Sequence, residues 1–309
     1  ALKVVGKKIG EAKITFIGTG AANVAISRLI FAYGGTPALC TMVDSKGILH
    51  KGRDDIEARK AEYVDKWKLC NITNAQGRTG SIAEALVGAD VCIALSKPGP
   101  DTIQKEWVTK MAQGSIVFAC ANPIPEMWPW DAKEAGVTVF ATGRSDFPNQ
   151  VNNSLGFPGI FRGTLDVRAR TITDEMCIAA AEAMARTAEE KGLSADRIMP
   201  TMDDVDIFPR EAAAVAMKAI EQGIAKYADM TFEQEYENAK KIILRARGMV
   251  QDAMATGYIK MPEGSQAPKP TKMALKAVAK ATQKPVVKPR ATQKKAAKKP
   301  VARKAKARK

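Results

Sequence analysis

KITFIGTGAANVAISRLIFAYGGTPALCTMVD, residues 13–44, decides the fold of this chain. A short apolar run, Ile14–Ile17, ends in Gly18-Thr19-Gly20. A helix-type pattern follows, with Val24, Ile26, Leu29, Ile30 and Tyr33 at its apolar positions. A second apolar run, Ala38–Val43, ends at Asp44. Strand, glycine turn, helix, strand and acid, in that order, make a dinucleotide-binding βαβ unit. Gly18 permits the tight turn, and Gly20 lets the backbone approach a pyrophosphate. The helix beginning at Ala21 and Ala22 offers free N–H groups and a positive dipole end. Asp44 stands where an acid accepts from ribose hydroxyls. Asn23 is the departure: it occupies the place of the third glycine, where helix and strand pack closely.

Outward from this unit, strands and helices alternate. A turn, SKGILHKGRDD, leads to a charged helix over Ile56–Lys68, and Ser81–Val87 reads as helix. DVCIAL (90–95), SIVFACA (115–121) and VTVFA (137–141) read as buried strands, with helices over Thr102–Ala112 and Ala132–Ala135 between them. Short continuous apolar strands at this pitch imply an α/β, Rossmann-like, doubly wound parallel sheet with both faces covered. Thr173–Gly192, Pro209–Ala228 and Phe232–Ala255 follow as C-terminal helices, and the opening ALKVVGKK also reads as helix.

The 309 residues suffice for one large domain or two smaller ones, and the 46% hydrophobic fraction for a sizeable core. The net charge of +15 is confined to one end: residues 264–309 carry 16 Lys or Arg and no acid, leaving 32 basic and 33 acidic residues before them. We therefore expect a near-neutral body, residues 1–260, and a low-complexity Lys/Ala/Pro tail, residues 261–309, disordered for want of apolar residues. No stretch is apolar enough to span a bilayer, and no signal-peptide pattern opens the chain. Five scattered cysteines without a CxxC suit a reducing compartment, so a cytoplasmic location is expected. The one histidine, His50, lies in a turn region and reads as solvated.

In an open α/β sheet the site forms at the carboxyl ends of the strands. Those ends hold the turn Gly18, Thr19, Gly20, Ala21, Ala22 and Asn23, then Asp44, Ser96 in SKPGP, Asn122-Pro123, and the stretch from Gly143 to Asn153. Asn122 can donate and accept at once, as a nicotinamide amide or a substrate carboxylate requires; an Asx turn before proline is the alternative.

Four of these motifs carry a resemblance: VDSKG at Asp44, SKPG at Ser96, CANPIPE around Asn122, and TGRSDFPNQVNN…FPGIFRG. Over residues 1–259 the chain resembles the C-terminal, NAD(P)-binding domain of prokaryotic malic enzymes. The resemblance implies oxidative decarboxylation of malate to pyruvate with NAD or NADP, in a homo-oligomer that uses Mg²⁺ or Mn²⁺. It implies cofactor contacts at Gly18–Asn23, Asp44, Ser96 and Asn122, and substrate contacts at Asn122, Asn152 and Asn153. In that family the base, the acid and the metal ligands lie in a preceding substrate domain. This sequence begins after them, so a missing upstream domain is expected and no catalytic residue or metal ligand is assigned here. Asp54-Asp55 and Asp203-Asp204 do not match the metal motif. Asp44 favours NAD by repelling a 2′-phosphate, which Lys46 and Arg53 can offset. The alternative function is a chemically silent dinucleotide module tethered to nucleic acid by its polybasic tail through salt-sensitive contacts.

Overall fold

The computed structural model describes residues 1–266, 268 and 269. Most of the expected tail therefore lies outside the described residues. The chain divides into two units, Ala1–Leu244 and Arg245–Lys309, with the boundary inside the last helix. In order, the elements are β1 (Ile14–Ile17), α1 (Ala21–Ala32), β2 (Thr41–Asp44), β3 (Gly47–Ile48), α2 (Asp54–Glu57), α3 (Val64–Ile72), α4 (Ile82–Leu86), β4 (Val91–Ala94), α5 (Lys105–Val108), β5 (Ile116–Ala119), α6 (Pro129–Glu134), β6 (Val139–Thr142), α7 (Phe157–Asp166), α8 (Asp174–Glu190), α9 (Ile207–Glu221) and α10 (Phe232–Ala255).

The strands form one sheet in the order β3-β2-β1-β4-β5-β6. Every pairing is parallel except β2 with β3, an antiparallel hairpin that matches Val43 to Ile48 and Asp44 to Gly47. Successive strand residues point to opposite faces, and the core divides accordingly. Ile14, Phe16, Met42, Val91, Ile116 and Val139 pack on one face, with Ile30 of α1 and Trp67 of α3. Ile17, Cys92, Ala94 and Val117 pack on the other, against Leu86, Val108 and Ala132 of α4, α5 and α6. Both faces are covered, as the continuous apolar strands imply.

A third cluster, built from Val167, Met176, Ala180, Val215, Ala216 and Ala219, joins α7, α8 and α9. α8 starts where its sequence signals it: the Thr173 hydroxyl accepts from the Met176 N–H. α7 approaches α9 so closely that a Cβ on Gly163 would collide with the Ala212 carbonyl. All five cysteines are free. Burial pushes the Cys40 and Cys120 thiols up to about 12.

Several elements depart from the sequence reading. Residues 2–6 form turns rather than helix, ending at Gly6 with φ +69°. The helix expected over Ile56–Lys68 is interrupted: Tyr63 takes φ −101°, ψ 46°, and its ring packs with Trp67 on the core. The helix expected over Thr102–Ala112 shrinks to α5, because the Ile103 N–H bonds to the Glu126 carbonyl instead of a helical partner. α1 buries the polar residues Asn23 and Ser27, while Tyr33, expected on the apolar face, is 52% exposed. β3 and α7 have no counterpart in the sequence reading. Among the described residues no helix is long and apolar enough to cross a membrane.

Candidate functional site

The chain leaves β1 in one direction toward β2 and later returns to β4 on the other side, so the crevice between the carboxyl ends of β1 and β4 is the switch point of the sheet. Gly18 lies there with φ +90°, and a Cβ on it would stand 2.5 Å from the Leu95 carbonyl oxygen and 3.1 Å from Ser96 Cβ. Only glycine serves at such a conformation and approach. The Gly18 N–H donates to the Val43 carbonyl (2.9 Å), and the Thr19 hydroxyl to the same oxygen (3.0 Å). Gly20 is different. Its backbone is ordinary extended chain, and a Cβ there would meet nothing within 4 Å. The space over Gly20 is therefore open. α1 begins beside it with no side-chain cap and no acid in its first turn, and Ala21 and Ala22 are exposed. A pyrophosphate fits that combination of open space, uncapped N–H groups and dipole.

Asn23 is fully buried, and its amide donates to the carbonyls of Ile17 (2.9 Å) and Gly18 (2.7 Å). Where a third glycine would only allow close packing, Asn23 ties α1 to the end of β1. Its Oδ1 is buried without a partner.

Asp44 ends β2 as expected, but its carboxylate is engaged on every side. Arg53 donates to both oxygens (3.1 and 3.1 Å), the Lys46 N–H to Oδ1 (2.9 Å) and Lys66 Nζ to Oδ2 (3.3 Å). Burial opposes ionisation, yet Arg53, the Lys46 N–H and Lys66 outweigh it and hold the carboxyl below its usual range. Arg53 also pairs with Asp55 (2.7 Å). A cleft of about 540 Å³ adjoins this cluster and is lined by Asp44, Ser45, Lys46, His50, Arg53 and Ser81 among others.

On the other side of the crevice the loops after β4 and β5 are joined by Glu126, whose side chain is fully buried. Oε1 accepts from the Ser96 N–H (2.8 Å) and hydroxyl (3.2 Å), and Oε2 from the Ala121 N–H (3.0 Å). Asn122 follows, exposed and cis to Pro123. Among the described residues nothing hydrogen-bonds its amide, so the Asx turn is absent. Its Oδ1 would lie 3.3 Å from a Cβ on Gly143. The Asn152 amide donates to the Gly143 carbonyl (3.3 Å), while its Oδ1 accepts from the Ser154 N–H (3.0 Å). Asn122 and Asn152 thus converge on Gly143, and Asn153 follows as an exposed residue. Arg144 donates to the Pro123 carbonyl (3.1 Å) and to Asp146, beneath Trp128 and Phe147.

The candidate residues therefore form three groups along one edge: Gly18 to Asn23 with Ser96, Asp44 with its cations, and Asn122 with Asn152 and Asn153. Sequence reasoning missed Glu126 and Arg144, although both lie in quoted motifs, CANPIPE and TGRSD. Among the described residues no group of three or more His, Cys, Asp or Glu is disposed to hold a metal ion, so no metal-assisted step is assigned to them.

Residues 1–223 match the family model described as malic enzyme, NAD binding domain. The chain is 44% identical over 248 residues to the bifunctional malic/malolactic enzyme of Bacillus subtilis, covering 79% of this chain and 57% of that protein. It is 40% identical over 241 residues to the NADP-dependent malic enzyme of Halomonas elongata, covering 73% and 54%. Among solved structures, malic enzyme from Entamoeba histolytica superposes with a TM-score of 0.81 at 48% identity, covering 91% of this chain and 56% of that one. The chain thus spans little more than half the length of these relatives.

Proposed function

The chain belongs to the malic enzyme family as its NAD-binding domain, and from that premise we propose that it supplies the dinucleotide half of an enzyme that converts malate to pyruvate. A bound NAD or NADP would accept the hydride from malate C2. The residues of this chain would bind and orient. The Gly18–Gly20 turn and the start of α1 would receive the pyrophosphate. Asp44, Arg53 and Lys46 would meet the adenosine ribose. Ser96 and Asn122 would meet the nicotinamide end, and Asn122, Asn152 and Asn153 the substrate. The amide of Asn122, exposed and without a hydrogen bond among the described residues, supports this last role. The proton-transfer groups and the divalent cation of the family reaction are assigned to no residue here.

The observation that carries the reading is the contrast between two glycines. Gly18 is forced by the protein itself, whereas Gly20 faces open space that no described residue fills. Gly20→Val is therefore the test, since the backbone is extended and a Cβ there meets no neighbour within 4 Å. Titration with NADH should show affinity falling by about tenfold or more in a variant that still unfolds cooperatively. Equal affinity in the variant would remove the turn from the site.

A further inference from the structure

Glu126 is a fully buried carboxylate outside the set of candidate site residues, although it ends the CANPIPE motif. Its surroundings are unusual for a buried charge. No cation pairs with it among the described residues; all three of its side-chain partners are donors, two of them backbone N–H groups. Buried carboxylates otherwise require such compensation to persist. The partners come from two loops. Ser96 opens the loop after β4, 30 residues away in sequence, and Ala121 immediately precedes Asn122 after β5. The Glu126 carbonyl also accepts from the Ile103 N–H (3.0 Å), farther along the β4 loop. One residue therefore ties together the two strand ends on one side of the crevice and, among the described residues, makes no hydrogen bond to the Gly18 turn, beside which Ser96 stands. In a doubly wound sheet the dinucleotide lies across the switch point, with its two nucleotides on opposite halves. Glu126 lies on the half away from β2 and Asp44.

We propose that Glu126 is a positioning residue for the nicotinamide end of the cofactor: it fixes Ser96 and Asn122 relative to each other and leaves the adenosine and pyrophosphate end unaffected. The proposal rests on the dinucleotide reading above. In Glu126→Gln the reach is kept, but one oxygen becomes an NH₂ group facing a backbone N–H, so one of the two loops loses its tether.

The test uses the 309-residue chain and two probes, NADH and ADP-ribose, which lacks the nicotinamide. Glu126→Gln should weaken NADH by about tenfold or more, the worth of a hydrogen bond to a charged group, while ADP-ribose affinity stays within about twofold. A merely structural role would instead lower the melting temperature and weaken both probes alike. That result, or unchanged NADH binding in a folded variant, overturns the proposal. If Glu126→Gln does not fold, Glu126→Asp takes its place: it keeps the charge, loses the reach, and must show the same split between probes. Failure of the unsubstituted chain to bind either probe would instead overturn the dinucleotide reading itself.

Discussion

At the scale of single residues, Asp44 has the most altered meaning. Its position after β2 invites a role as ribose acceptor, and as a free carboxylate it would repel a 2′-phosphate. In the structure its lone pairs are committed to Arg53, Lys66 and the Lys46 N–H. Arg53 thus masks the charge on which discrimination would depend. Arg53→Ala unmasks it and removes a cation from the cleft, so the ratio of NADP to NAD dissociation constants should rise by about tenfold. Competitive titration of both cofactors against both proteins measures this ratio, and an unchanged one would deny Arg53 any part in selectivity. The acid itself was legible, because its spacing from the glycine turn is local. The Arg53 pairing was not, because it depends on the β2–β3 hairpin bringing residue 53 back beside residue 44. Glu126 was hidden for the same reason: its partner Ser96 is far away in sequence.

At the scale of elements, legibility follows the strength of the local signal. β1, β2, β4, β5 and β6 were all marked by apolar runs with polar ends, and α8 and α10 by caps and period. β3 is two residues long and carries no pattern. α7 begins with Phe-Pro-Gly and contains Gly163, poor helix formers whose reason is the close approach of α9. That contact has an electrostatic cost. Glu211 of α9 is fully buried beside Gly159 of α7, and neither carboxylate oxygen has a hydrogen-bond partner among the described residues. Burial pushes its carboxyl up to about 9. The unfolded chain ionises near pH 4.3, so the folded protein holds the extra proton between these values. This contribution to stability is full below about pH 4.3 and is lost as pH rises toward about 9, at up to roughly 1.4 kcal/mol per pH unit. Glu211→Gln keeps the shape without the titration. Denaturant unfolding from about pH 5 to pH 8 should fall less steeply for this variant than for the parent. Parallel curves would mean that Glu211 is solvated or paired in solution.

At the scale of the whole molecule, the proposed roles of this chain are binding and orientation. Among the described residues no group is disposed to hold a metal ion, and no acid or base is assigned. General acid–base assistance alone is worth roughly 10²–10⁴-fold. The 309-residue chain should therefore bind NADH yet form no measurable pyruvate from malate with Mg²⁺ or Mn²⁺. Pyruvate production by chain freed of host enzyme would show that the catalytic groups are here after all.

The hairpin of β2 and β3 has a consequence of another kind. It is the one antiparallel element of the sheet and lies at its edge, and it carries Asp44, Lys46 and the path to Arg53. The amides near Gly143 belong to the opposite half. On the proposed reading, the residues that meet the adenosine ribose and those that meet the substrate come from separate segments of the gene, and drift in one need not disturb the other. A lineage would then exchange its redox currency through a few codons in the hairpin while the substrate-side edge stayed under unbroken selection.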